Sequence, residues 1–176
     1  MNLAHSVPPH GNDLAPDSAR REKHDMAHVE GEIIIKRSTE EVFDFVADER
    51  NEPLYNREMV RSELISEEPI GRDSRFWAEL SMRGRPVEMT IKFTTFDRPR
   101  LLGSSSQLSN MRIEGVLTFE SVPEGTRMHW SWNLHPKGFL KLMEPMIAWT
   151  GRRQEKTIWT GLKRYLERQE TPAPQI

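Results

Sequence analysis

Apolar and polar residues alternate with a period of two through the middle of the chain and shift to a period near 3.6 towards its end. The first apolar segment, residues 29–36, holds the β-branched run Ile33, Ile34 and Ile35, which suits a strand. Ser38 followed three residues on by Glu41 is a capping box, and Val42, Phe43, Phe45 and Val46 recur at helical spacing up to Asp48. Residues 49–56 suit a second short turn or helix, with Pro53 tolerated in its first turn.

Alternation then carries the next stretch. Val60, Ser62 and Leu64 alternate with Arg61 and Glu63, and Phe76, Ala78, Leu80 and Met82 alternate with Trp77, Glu79 and Ser81. Val87, Met89, Ile91 and Phe93 alternate with Glu88, Thr90 and Lys92, so each segment has one apolar and one solvated face. Residues 101–109 give the weakest strand, because their serines equally suit an exposed edge; residues 111–121 and 126–134 alternate well, the last placing Met128, Trp130, Trp132 and Leu134 on one side. The breaks at 68–71, 83–86, 97–100 and 123–125 carry proline and glycine turn chemistry, and such short breaks imply hairpins. The pattern predicts a six-stranded antiparallel meander, which with the first strand makes a seven-stranded sheet.

From Glu144 to about Glu167 the spacing predicts a helix, about 36 Å long, with residues 139–143 as a short lead-in. Its apolar stripe runs through Met146, Ile147 and Trp149, then resumes at Ile158, Trp159, Leu162, Tyr165 and Leu166. In the gap stand Thr150, Gln154 and Thr157, with Gly151 close by. Such a gap is either solvent-exposed or lines a cavity.

Residues 1–27, rich in proline and charge, read as a flexible leader, with Met26 an alternative start; residues 28–168 read as one domain and 169–176 as a disordered tail. At 176 residues one domain can bury a core without staples. A net charge of -2 gives no broad attraction to nucleic acid or to an anionic bilayer, and the absence of cysteine excludes disulfides, thiolate metal sites and a cysteine nucleophile. No signal peptide or spanning segment is visible, so a cytoplasmic protein without membrane insertion is expected.

The order of strand, helix, short helix, six-strand meander and long helix resembles the START-like, Bet v 1-like superfamily, in its bacterial polyketide cyclase/dehydrase and lipid-transport branch. The run from Ser38 to Asp48 is similar to that branch's opening helix, and Pro53-Leu54-Tyr55-Asn56 takes the place of its proline-tryptophan-asparagine segment, with Leu54-Tyr55 departing from the tryptophan. Gly125-Thr126-Arg127 matches the opening of the last strand, and the residues from Leu162 to Glu167 match the helix end. The resemblance implies an α+β helix-grip fold, a curved sheet around the C-terminal helix, with an apolar cavity between them for a hydrophobic small molecule.

Phosphate-cradling loops, hydrolase groupings and metal-ligand pairs are absent at recognisable spacings, so no metal or cofactor is expected. The walls of the cavity are assigned to Phe76, Leu80, Met89, Ile91, Phe93, Leu117, Met128, Trp130, Met146 and Thr150. Further methionines, Met82, Met111 and Met143, suit an adaptable apolar surface. His129 and His135 fall on the outward face of the last strand, and Arg152 and Arg153 on a solvated helix face. Tyr55 and Arg57 are the candidate catalytic residues, placed to polarise a bound carbonyl. Three functions follow: a carrier of a hydrophobic ligand, a cyclase/aromatase-type enzyme using the same cavity, or a partner-binding or chaperone-assisting domain with no cavity.

Overall fold

A computed structural model describes residues 27–82, 84–138 and 143–168. The expected leader (apart from Ala27), the tail, Arg83 of the second turn and all of the lead-in but Met143 lie outside the described residues. Ala27 already belongs to the first strand, where it faces Leu134.

Strand β1 (Ala27–Ile35) leads into helix α1 (Thr39–Ala47), a 3-10 helix η1 (Glu49–Leu54) and strands β2 (Met59–Leu64), β3 (Arg75–Met82) and β4 (Arg85–Asp97). Strands β5 (Leu101–Gln107), β6 (Met111–Val122) and β7 (Gly125–Pro136) complete the sheet, and helix α2 (Glu144–Arg168) follows. The strands form one antiparallel sheet in the order β1-β7-β6-β5-β4-β3-β2, so each hairpin neighbour pairs and β1 closes against β7.

Local chemistry sets the junctions. Ser38 Oγ accepts from the Glu41 amide at 3.3 Å while the Ser38 amide donates to Glu41 Oε2 at 2.9 Å, so two orphan N–H groups of α1 are satisfied reciprocally. Asp48 ends α1 and caps η1, its Oδ1 accepting from the Arg50 amide at 3.2 Å. Gly125 opens β7 at a φ of 130°, and a Cβ there would lie 2.2 Å from the Ile35 carbonyl oxygen. The buried Thr126 beside it donates from Oγ1 to the Arg37 carbonyl at 2.8 Å, which ties the last strand to the β1–α1 junction.

Two expectations are corrected. Val60 stands 55% exposed rather than inward, because the pairing of β2 with β3 shifts register between Met59 and Arg61; Met59 takes the buried place opposite Leu80. Beyond the shift, Ser62 pairs with Ala78 and Leu64 with Phe76. The serine-rich β5 is no edge, since β4 and β6 pair with it on either side.

Inside, apolar side chains gather into two clusters. The larger holds Phe43, Phe76, Phe93, Phe119, Met128, Trp130 and Leu162 beneath α1. A smaller one, Ala27, Val29 and Leu134 with Ile113 and Ile147 against them, joins the far end of the β1–β7 pair to the start of α2. Helix α2 is held at two points in its second half. Gly161 lets it approach the η1–β2 loop so closely that a Cβ would lie 2.4 Å from the Tyr55 carbonyl oxygen. Glu167 Oε1 accepts from the Lys36 amide at 2.9 Å and from Lys163 Nζ at 2.8 Å.

Candidate functional site: an internal cavity with an acidic end

Between the two clusters lies a cavity of about 650 Å³, within the range of small-molecule sites. Its sheet side is apolar: Leu80 from β3, Met89 and Ile91 from β4, Leu102 from β5, Ile113 and Leu117 from β6. Ser104 and Ser106 line it from β5, so the serines that weaken this strand in the sequence are small side chains facing open space. Exposed lining residues, Met82, Ser109, Asn110, Met146 and Thr150, mark where the cavity meets solvent.

The opposite end is polar and acidic. Glu49 and Glu52 of η1 line it, with Tyr55, Asn56 and Glu58 of the following loop and Gln154 and Glu155 of α2. Asn56 Nδ2 donates to Glu52 Oε1 at 2.7 Å, and its Oδ1 accepts from the Glu58 amide at 3.0 Å. Two indoles converge on Glu155: Trp132 Nε1 donates to Oε2 at 3.0 Å and Trp159 Nε1 to the same atom at 2.8 Å. Both bonds fall on Oε2, so Oε1 takes part in neither.

Removal from bulk water dominates the electrostatics here. Burial raises the Glu155 carboxyl from the ordinary 4.5 to about 7, against the two indole bonds that favour its anion. Burial also drives Glu49 well above the carboxylate range, helped by the charge and hydrogen bond of Glu52, and Glu52 itself is raised by burial. Tyr55 is 9% exposed, and its phenol is pushed well up by burial and then by the charges of Glu52, Glu49 and Glu155. Among the described residues lining the cavity there is no lysine, arginine or histidine.

A second hollow, an outer groove of about 880 Å³, runs between the η1–β2 loop and α2. Tyr55, Asn56, Glu58, Thr150, Gln154 and Ile158 line both spaces, and Gln154 Nε2 donates to Glu58 Oε2 across this shared wall. The groove carries Arg57, Arg153, Arg164 and Arg168, with Trp149 61% exposed beside them.

Of the residues assigned to the cavity wall, Leu80, Met89, Ile91, Leu117, Met146 and Thr150 line it. Phe76, Phe93, Met128 and Trp130 do not; they are core. The reason is packing: the Phe76 and Phe93 rings lie 5.4 Å apart, and Trp130 sits 6.1 Å from Trp159 with its ring over Gly31. Arg57 is exposed and belongs to the groove, whereas Tyr55 borders both spaces. Thr150, Gly151 and Gln154 show that the stripe gap of α2 faces the cavity, while Thr157 faces the groove. Neither His129 nor His135 lines it; His135 Nε2 lies 3.7 Å from Glu114 Oε2 on the outer side.

Glu49, Glu52 and Glu155 went unmarked in the sequence. The available signal was Glu155 at four residues from Trp159, on the apolar side of an amphipathic helix where a carboxylate has no reason to be.

Residues 26–167 match the family model described as polyketide cyclase / dehydrase and lipid transport. No curated protein is similar enough to count as a match. Among solved structures, TTHA0849 from Thermus thermophilus is 20% identical, with a TM-score of 0.69 over 81% of this chain and 99% of the other. A START superfamily protein from Mycobacterium smegmatis is 14% identical, with a TM-score of 0.71 over 81% and 99%. The Zhui aromatase/cyclase from Streptomyces sp. R1128 is 12% identical, with a TM-score of 0.72 over 86% and 99%. At these identities the likeness is one of fold.

Proposed function

The chain belongs to the polyketide cyclase / dehydrase and lipid transport family, and from that premise we propose that it binds and carries a hydrophobic small molecule between its sheet and α2. The observation that carries this reading is the cavity of about 650 Å³ separating two apolar clusters that would otherwise pack together. Space of that size walled by leucine, isoleucine and methionine loses dispersion contacts that an apolar guest restores. The cavity counts against a partner-binding domain lacking one.

Titration with N-phenyl-1-naphthylamine, a neutral apolar fluorophore, tests the reading. Saturable uptake of one molecule per chain is expected, lost on filling the cavity by substitution. Absence of saturable uptake would sink it. Native mass spectrometry of protein purified from its host, followed by denaturing release, then names the natural guest.

A second reading, a cyclase/aromatase-type enzyme, is favoured by one arrangement: a carboxyl titrating near 7 at the same end of the cavity as the Tyr55 hydroxyl. In this reading the Glu155 carboxylate takes a proton from the carbon beside a ligand carbonyl. Tyr55 donates a hydrogen bond to the oxygen on which negative charge develops. Arg57 can act in it only from the groove side. Tyr55→Phe should then lower turnover far more than affinity, and equal losses in both would argue against it.

A further inference from the structure

The acidic end of the cavity poses a charge problem that its own residues leave unsolved. Four carboxyl groups, Glu49, Glu52, Glu58 and Glu155, border one end of the space; Gln154 donates to Glu58, and no cationic side chain among the described residues lines the cavity to balance the other three. Isolated buried carboxylates are costly, so such groups either hold their protons or meet a cation. Glu49 and Glu52 stand three residues apart on η1, and burial together with the neighbouring Glu52 favours the protonated form of Glu49. Glu155 has two indole N–H donors on Oε2 and neither on Oε1.

An independent observation points the same way. Tyr55 is nine-tenths buried, it borders the cavity, and its hydroxyl lies within reach of the charges of all three carboxyls. That hydroxyl makes no hydrogen bond to any described residue and is not among the fully enclosed unpaired atoms, so it meets open space rather than packed core. The arrangement therefore sets the Tyr55 hydroxyl and carboxyl oxygens along the same end of the cavity. It is not a metal site: among the described residues no three carboxyl or imidazole groups converge closely enough to hold an ion.

We propose, resting on the reading of the cavity as a ligand site, that its guest is an amphiphile with one basic nitrogen, its ammonium seated among Glu49, Glu52, Glu155 and Tyr55 and its hydrocarbon body against β3–β6. An ammonium carries hydrogen-bond donors only, which suits an end lined with acceptors. Its arrival turns the acidic end from a penalty into an attraction, while an anionic guest meets repulsion there and a neutral one gains less. Glu155 is suited to provide the anion, since burial lifts it only to about 7 and it keeps two N–H bonds as it ionises.

Decylamine, decanol and decanoate, which share a chain and differ in the head, test this by calorimetric titration of the full chain at pH 7 below their micelle concentrations. The amine is expected to bind at least tenfold more tightly than the alcohol, and the carboxylate more weakly than either. Glu52→Gln and Glu155→Gln, each first shown to melt cooperatively, are expected to bring the amine-to-alcohol ratio below threefold. Equal binding of amine and alcohol, or tighter binding of decanoate, overturns the ammonium assignment and leaves the hydrophobic site standing. Failure of all three probes to bind overturns both.

Discussion

Gln154 of α2 donates its side-chain amide hydrogen to the Glu58 carboxylate of the η1–β2 loop, at the wall where the inner cavity adjoins the outer groove. The two spaces are separated there by side chains, not by backbone. Gln154→Ala removes the bridge and should speed exchange of a bound fluorophore by about fivefold, the equivalent of one hydrogen bond of about 1 kcal/mol. Stopped-flow displacement measures it; an unchanged rate would place the route of entry elsewhere, at the rim formed by Met82, Asn110 and Met146.

The raised Glu155 carboxyl makes stability depend on pH in a defined window. Because the folded protein holds this proton up to about 7 while the free side chain releases it near 4.5, the folded form binds more protons between those values. Stability therefore falls as pH rises through the window, by about 3 kcal/mol at most for this group. Glu155→Gln should flatten that slope and be the more stable form at pH 8. Thermal melts of both proteins from pH 4.5 to 8 decide it, and parallel curves would count against the burial described for this carboxyl.

Filling the cavity should separate stability from binding. Ser104→Leu puts an apolar side chain into the space bordered by Leu102 and Leu117, and should stabilise the fold by about 1 kcal/mol while weakening uptake of an apolar fluorophore at least tenfold. Loss of stability together with loss of binding would mean that the wall is tighter than its volume implies.

Thr126 illustrates a purely structural motif residue. Thr126→Val keeps the shape but deprives the Arg37 carbonyl of its 2.8 Å bond, and should cost about 1 kcal/mol in chemical denaturation without altering ligand affinity.

The architecture was legible because alternation, capping and turn chemistry agree with one another: the Ser38–Glu41 box, the hairpin turns and the run of α2 stand where the pattern puts them. Val60 misled because a one-residue shift at Met59 is invisible in a period-two pattern. The site was less legible for a different reason. Strand alternation tells which side chains point inward, as Phe76 and Leu80 both do, but not which inward positions meet a partner across the interior. Phe76 meets Phe93, whereas Leu80 meets open space. Nor does spacing reveal that η1, entered through Asp48, turns Glu49 and Glu52 towards α2 rather than water.

The division of the interior into two apolar clusters also bears on how the molecule opens. The far ends of β1 and β7 and the first turns of α2 rest on the small group around Val29 and Leu134, and their link to the main cluster runs around the cavity rather than through it. Such an end is expected to open as its own unit, its backbone amides exchanging with solvent sooner than those of the strands over the main cluster. A guest that touches both Val29 and Leu117 supplies the missing middle of the core. Binding should then join the two ends of the core, and a rise in amide protection at Val29 would report occupancy.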